Sequence, residues 1–205
     1  MGVHRGSLYR DFAADVLAGR DELYGEVINR FTTERLHSYY LANPEIAQRA
    51  LWALGQAKLL LTTHPEASLV FAVTAAEVGL KSGLLKPILH GLVHDEALAV
   101  IIAELVPEQR NKQFQKLLFG ILRELGGLDL QTFRRLAAGP TLWDEMQQAQ
   151  SRRNGVVHRA DGVTPDDARL AVEIAAIVVE SLFPQVLSRL GLLTDASLRV
   201  TGSKP

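Results

Sequence analysis

The sequence predicts an all-α fold. Apolar residues recur at helical spacing over long segments, and proline or glycine separates those segments from one another. β-Branched residues occur only as short clusters inside helix-length stretches, such as Ile174 to Val179. We therefore predict a helical bundle with an N-terminal helical extension.

Local signals divide the first half of the chain into helices. Asn43-Pro44-Glu45 is typical of a helix stop followed by a new helix with proline in its first turn. Pro65 begins a long helix in the same way, and Pro87 is expected to close it. The predicted helices of this half span Leu8 to Ala18, Glu22 to Leu41, Glu45 to Leu61 and Pro65 to Leu85.

Glycine and proline punctuate the second half as well. Gly126-Gly127 and Gly191 stand where glycine C-caps are expected, and Gly139-Pro140 precedes a new helix. The predicted helices here span Asp95 to Leu105, Glu108 to Leu125, Leu130 to Ala137, Thr141 to Val157 and Pro165 to Leu190. On the last helix, an apolar stripe is predicted to face the core: Ala171, Ile174, Ala175, Val178 and Leu182.

The domain organisation is predicted as an N-terminal helical extension over residues 1–45, a helical domain over 46–193 and a flexible polar tail over 194–205. The extension holds six of the chain's aromatic residues. It is interpreted as a separate helical hairpin, as a dimerisation or partner-binding arm, or as more of the core, which is the usual fate of an amphipathic helix pair.

Composition bounds the class of protein. The chain has 205 residues, a formal net charge of −1 and no cysteine, which excludes disulfides, thiolate metal sites and cysteine nucleophiles. The N-terminus lacks an apolar signal-peptide core. Charged residues interrupt the longest apolar runs at Glu77, Lys81, Glu173 and Glu180, so no membrane span is expected. We expect a cytoplasmic protein.

The most informative stretch is Arg153-Asn154-Gly155-Val156-Val157-His158, an R-N-x-x-x-H motif. Arginine can fork two donors onto phosphate oxygens, and histidine can exchange a proton near neutral pH. Positions five apart on a helix lie about 140° apart, so the pair can converge on one ligand if the helix is distorted or ends near the motif. Gly155 makes such distortion cheap.

This motif, the following Val157-His158-Arg159 run, a short acidic turn and a closing apolar helix together resemble the HEPN family of small all-α domains. The resemblance covers roughly residues 50–190. It implies a metal-independent endoribonuclease that leaves 2′,3′-cyclic phosphate and 5′-OH ends, with Arg153 and His158 as catalytic residues. It also implies no cofactor, an RNA substrate, a homodimer and an antitoxin or anti-phage defence partner.

Other residues receive supporting roles, each beside a simpler reading. By the resemblance, Glu77 on the Pro65 helix positions Arg153; a plain i,i+4 pair with Lys81 is the alternative. Asn154 orients the arginine or serves the backbone. Arg152 and Arg159 are RNA-contact candidates, or else a solvated charge run facing Asp161, Asp166 and Asp167.

The rival for the whole chain is a non-catalytic HEPN-like interaction or nucleotide-binding subunit, in which Arg153 and His158 are structural or hold a phosphate without cleaving it. In that reading His158 is a helix-capping histidine that the helix dipole favours. A homodimer is also suggested by Val172, Val179 and Leu187, which lie off the apolar stripe of the last helix and leave a second face to bury.

No metal site is expected. His90 and His94 have the spacing of two helical metal ligands, but Gly91 stands where the catalytic glutamate of the H-E-x-x-H motif belongs.

Overall fold

The computed structural model describes residues 33–92, 119–120, 122–124 and 127–203. Its longer elements are helices, and only two short strands occur in that part of the chain, which confirms the all-α prediction. The predicted helices Leu8 to Ala18 and Asp95 to Leu105 lie outside the described residues, as does most of Glu108 to Leu125. The described elements are α1 over residues 33–42, α2 Gln48–Leu60, α3 over 65–92, α4 Leu142–Arg159, α5 over 165–189, β1 Leu192–Thr194 and β2 Val200–Ser203.

Helix α3 lies at the centre, where it packs against α2, α4 and α5. The stripe predicted for the last helix is buried, from Ala171 to Leu182. Val172, Val179 and Leu187, which the sequence left for a second face, are also buried, at 8%, 1% and 1% exposure. The rest of the chain therefore covers these three residues, so they give no support to a dimer, and the homodimer stays a prediction.

Both long helices change pitch in the middle. In α3, an α-helical part Pro65–Val78 continues into a π-helical segment Gly79–Leu85 and then into Lys86–Leu92. Helix α5 repeats the pattern with its π-helical segment at Ile177–Leu182. The two segments pack together: a Cβ added at Gly79 would lie 3.2 Å from Val179 Cγ2. The glycine thus lets the helices approach closely where they meet.

The expected helix stop at Pro87 was wrong, because α3 runs through this proline to Leu92. A proline inside a helix cannot donate to the carbonyl four residues earlier and crowds it. That carbonyl belongs to Gly83, which lies in the π-helical segment and accepts a hydrogen bond from Tyr40 Oη at 2.8 Å. The change of pitch and an outside donor together accommodate the proline.

Tyr40 belongs to the segment predicted as the N-terminal extension, and it lies in the main core. Leu36 and Tyr40, both on α1, are 1% and 0% exposed and belong to the main core. The Tyr40 ring meets Phe183 edge to face, with ring centroids 6.2 Å apart. From residue 33 onward, the segment assigned to the extension is therefore part of the core.

We expect Tyr40→Phe to lower the free energy of unfolding by about 1–3 kcal/mol, because the Gly83 carbonyl stays buried without its donor. Burial, and less strongly the neighbouring Tyr39, raises the pKa of Tyr40 far above its ordinary value. The unfolded chain ionises above pH ~10 while the folded phenol stays neutral, so the stability from this group is complete below that pH and is lost above it.

Urea unfolding of wild type and Tyr40→Phe at neutral and alkaline pH measures the free energy of unfolding of each protein. The stability difference between wild type and Tyr40→Phe should narrow above pH ~10. A difference that is absent at neutral pH, or constant across pH, would contradict the assignment.

The C-terminal residues differ from the expected flexible tail. Leu192–Thr194 and Val200–Ser203 pair as an antiparallel hairpin. Leu192 and Val200 are buried, and Val200 N donates to Pro44 O at 2.9 Å. Strand β1 packs against the end of α5, and the Val200 N–H holds β2 beside Pro44, just before α2. The polar composition of residues 194–205 gave no indication of this hairpin.

The segment Leu130 to Ala137 is a series of turns and not the predicted helix. Asp129 Oδ1 accepts from the backbone N–H of Gln131 at 3.0 Å, a local bond that competes with helix formation. Arg135, in this segment, links α4, which carries the motif, to α5, which follows it. Its guanidinium contacts Glu145 of α4 at 3.3 Å and Glu173 of α5 at 2.7 Å.

By length and composition alone, two described helices, Pro65–Gly91 and Pro165–Arg189, are apolar enough to cross a membrane. Within the protein, 61% and 56% of their most apolar stretches are buried, and the core helix of a soluble protein passes the same test. The expectation that no segment spans a membrane stays a prediction.

Candidate functional site

The motif lies near the end of α4, a regular helix of 18 residues. The helix begins with a capping box, in which Thr141 and Asp144 each bond the other's backbone N–H. It ends after Arg159, where Ala160 adopts a left-handed conformation with φ 54°. Arg153 thus lies almost two turns from the end, and His158 lies in the last turn.

Gly155 does not distort the helix, contrary to the expectation from sequence. It is buried, and a Cβ at this position would collide with the Asp161 carboxylate, which lies across the helix end. The backbone N–H of Asp161 also donates to Gly155 O at 3.3 Å. The glycine therefore allows the chain to fold back closely after the helix.

Arg153 points toward α3 and contacts Glu77. Arg153 Nη2 lies 2.9 Å from Glu77 Oε1 and 3.0 Å from Oε2, and Gln150 Nε2 donates to the same Oε1 at 2.9 Å. The two charged side chains are 25% and 27% exposed. The pairing that the resemblance implied is therefore present, and it joins helices that are 76 residues apart in sequence.

This ion pair orients the arginine more than it stabilises the fold. Pairs with this much contact with water contribute about 1 kcal/mol or less. Arg153 uses only Nη2 for Glu77, while Nε is buried without a partner. Within the described residues Nη1 forms no hydrogen bond either. The guanidinium is thus held by one nitrogen and retains a donor for a further ligand.

The Arg153–Glu77 pair lies at the edge of a cleft of about 510 Å³ between α3, α4 and α5. The floor of the cleft is apolar and largely buried, with Ala76, Leu80 and Met146 among its residues. Its rim is polar. The polar and aromatic residues of the rim are Glu77, Lys81, Trp143, Gln147, Gln150, Ser151, Arg153 and Asn154.

His158 does not line this cleft. It is exposed in the last turn of α4, about 140° around the helix from Arg153. Because the helix is regular from Leu142 to Arg159, the two motif side chains leave it in different directions. One protomer thus has a cleft with the arginine and, separately, an exposed histidine.

Arg152 and Arg159 each face a carboxylate. Arg152 forms an ion pair with Asp167, and Arg159 Nη2 lies 2.6 Å from Asp161 Oδ2. The candidate basic patch is therefore largely compensated by aspartates that follow it in sequence. This arrangement matches the solvated charge run that was the simpler reading of these residues.

In the parts of the chain that the structure describes, no three His, Asp or Glu side chains are grouped to hold a metal ion. His90 stacks on the Tyr39 ring with centroids 4.6 Å apart, and His94 lies outside the described residues. The sequence reasoning missed Trp143 and Gln147 as site residues. With Gln150 and Asn154 they repeat every three or four positions along α4, which is the signal that would have placed them on the face of Arg153.

Comparisons with models of known protein families, with curated proteins and with solved structures find no match to this chain.

Proposed function

We propose that this protein is a HEPN-like endoribonuclease that cleaves RNA without a metal ion. The observation that carries the proposal is the contact between Arg153 and Glu77, which directs the arginine of the R-N-x-x-x-H motif into a cleft. If the R-x4-H spacing were a chance occurrence on a surface helix, we would not expect its arginine to pair with a carboxylate of the central helix α3, 76 residues away. Asn154 lines the same cleft and supports the arginine or the substrate.

In the proposed reaction the ribose 2′-oxygen attacks the adjacent phosphorus, and the bond from phosphorus to the 5′-oxygen breaks. The 2′-hydroxyl proton leaves to a base, and the departing 5′-oxygen gains a proton. His158 exchanges one of these protons. Arg153 Nη1 stabilises the charge on the phosphoryl oxygens, while Nη2 stays on Glu77. The products are a 2′,3′-cyclic phosphate and a 5′-OH end.

The proposed working unit is a homodimer with a composite site. One protomer presents Arg153 in a cleft and His158 outside it, and in the proposed dimer the second chain supplies the histidine that acts beside this arginine. Val157, next to His158, is 54% exposed and gives this end of α4 an apolar contact point. This contact point takes the place of the α5 surface that the sequence had suggested.

The proposed setting is a toxin–antitoxin pair or an anti-phage defence system in the cytoplasm. Free ribonuclease activity harms the cell that makes it, so a partner protein that blocks the cleft or the dimer is part of the proposal. Covering His158 and Val157 at the end of α4 is a direct way to block it, since both are exposed.

The second candidate is the non-catalytic binding subunit. It is favoured by the carboxylates that face all three arginines of the motif region, since compensated charge attracts RNA weakly. In this case the cleft binds a small ligand, and His158 has no chemical role.

Incubation of purified protein with total RNA in EDTA tests the two candidates against each other. We expect cleavage that survives EDTA, leaves 5′-OH ends and disappears in His158→Ala. The matched control is His64→Ala, because His64 is exposed at the start of α3 and makes no side-chain cap bond. Cleavage that requires added magnesium, or that His158→Ala retains, would reject the proposed mechanism.

A further inference from the structure

We infer that the cleft beside Arg153 is a binding pocket for unpaired RNA bases next to the scissile phosphate. This inference rests on the proposed function, because it assigns an RNA strand to the cleft. It adds a specificity site, formed by Trp143 and Gln147, that lies apart from the two catalytic residues.

The dimensions of the cleft suit a short single strand. Its volume of about 510 Å³ is within the range of sites that enclose small organic ligands. Trp143 and Arg153 line it from positions ten residues apart on α4, which corresponds to ~15 Å of helix rise. A strand whose phosphate contacts Arg153 can therefore extend along α4 and bring a neighbouring base to Trp143.

The lining residues have the chemistry that base recognition needs. Nucleobases are flat and largely apolar on their faces, which fits a floor that includes Leu80 and Met146. Trp143 is half-buried at one end, where its ring meets Phe119 edge to face with centroids 5.0 Å apart. A fixed aromatic ring is the usual stacking partner of an unpaired base.

Two amides on the rim can read the edge of a base. Gln147 is exposed, and Asn154 is half-buried beside the arginine. Each amide offers both a donor and an acceptor, as the edges of bases require. Gln150 is less available, because its Nε2 is committed to Glu77. Gln147 is therefore the main candidate for setting base preference.

The charges around the cleft limit how much phosphate contacts contribute to binding. Phosphate contacts usually dominate the affinity for nucleic acid, but Arg152, Arg153 and Arg159 each face a carboxylate. Affinity must then come from stacking and hydrogen bonds to bases. Duplex RNA keeps its bases stacked and out of reach of such a pocket, so the inferred substrate is single-stranded.

The test is direct binding of fluorescein-labelled DNA oligonucleotides, which lack the attacking 2′-hydroxyl and cannot be cleaved. One strand carries bases, and a matched abasic strand of equal length carries the same phosphate charge. Fluorescence anisotropy should show that wild type binds the base-bearing strand at least ~10-fold more tightly than the abasic strand, because stacking contributes about 1–3 kcal/mol per base. The dependence of affinity on salt should be shallow.

The chain supplies matched controls. Trp143→Leu should remove most of the preference for the base-bearing strand, while Trp52→Leu should not, since Trp52 is 61% exposed on α2 and outside the cleft. Gln147→Ala should change the ranking among strands of different base, and Gln148→Ala should not, because Gln148 does not line the cleft. Both glutamines are exposed, so this second pair stays informative if Trp143→Leu fails to fold.

The outcomes separate the pocket from the proposed activity. Equal binding of base-bearing and abasic strands by wild type would overturn the pocket, even if the protein cleaves RNA in EDTA. Base-dependent binding that is lost in Trp143→Leu or shifted in Gln147→Ala would uphold it, even if no cleavage occurs and the ribonuclease proposal falls.

Discussion

Arg153→Lys is expected to fold normally and to lower the rate of RNA cleavage by ~10²–10³-fold, the usual cost of removing one electrostatic donor from a phosphoryl site. The structure adds a specific reason. Arg153 uses Nη2 for Glu77 and keeps Nη1 for another ligand. Lysine has a single ammonium that can stay with Glu77 or turn to the phosphate, but it has no rigid fork to do both.

His158→Gln should cause a loss of ~10²–10⁴-fold, because glutamine keeps a polar side chain but exchanges no proton. The double variant should be little slower than either single variant, since residues that act as one catalytic unit are strongly non-additive. Single-turnover cleavage of a labelled RNA measures these rates. Far-UV circular dichroism and thermal unfolding check that each variant is folded.

Arg169→Lys and His64→Gln are the matched controls. Arg169 is exposed on α5 and pairs with Asp166, and His64 is exposed before α3, so both should cleave at the wild-type rate. If Arg153→Lys cleaves as fast as these controls, Arg153 is not at the reacting phosphate, and the assignment of the catalytic site is wrong.

Mixing two inactive variants is expected to restore activity. In a composite site, Arg153 comes from one protomer and His158 from its partner. A heterodimer of Arg153→Ala with His158→Ala then contains one site in which both residues are wild type and one in which both are replaced. Since random association of equal amounts gives about half heterodimers in a two-fold dimer, the mixture should reach about a quarter of wild-type activity.

The result would be different if both residues acted within one chain. Each site of the heterodimer would then contain one replaced residue, and the mixture would be as inactive as its components. Cleavage assays after subunit exchange measure this, with the double variant Arg153→Ala/His158→Ala mixed with either single variant as a negative control. An inactive equimolar mixture would contradict the composite site, for which the separate placement of the cleft and His158 is the structural basis.

Some features of the site were accessible from sequence because they depend on local pattern. Glu77 shares its helix face with the apolar Val73 and Leu80, a local pattern that predicts partial burial, and its side chain is 27% exposed. The position of Arg153 on a long helix followed from periodicity and from Thr141 at its start. The turns after Asp129 were not predicted, because the hydrogen bond from the Gln131 N–H to Asp129 Oδ1 competes with the helix that the apolar spacing of this segment predicts.

What the sequence by itself determined is therefore the set of described long helices and most of their ends, with the C-terminal end of α3 as the exception. Periodic apolar residues, the Thr141 capping box, Pro165 in the first turn of α5 and the positive φ of Gly191 after it all act within a few residues of the boundary that they set. Interactions within a few residues are sufficient to set these helix boundaries, so each boundary can be predicted from its own segment of sequence.

Only the tertiary structure decided how those helices are used. Tyr40 donates to Gly83 from 43 residues away and lets α3 pass through a proline, Glu77 holds Arg153 from 76 residues away, and Gln48 binds Ser197 of the C-terminal hairpin across 149 residues. Each bond depends on where the packed core brings two distant segments together. The periodicity of the sequence does not predict which distant segments come together. For the same reason, only the structure shows that Arg153 lines the cleft and that His158 does not.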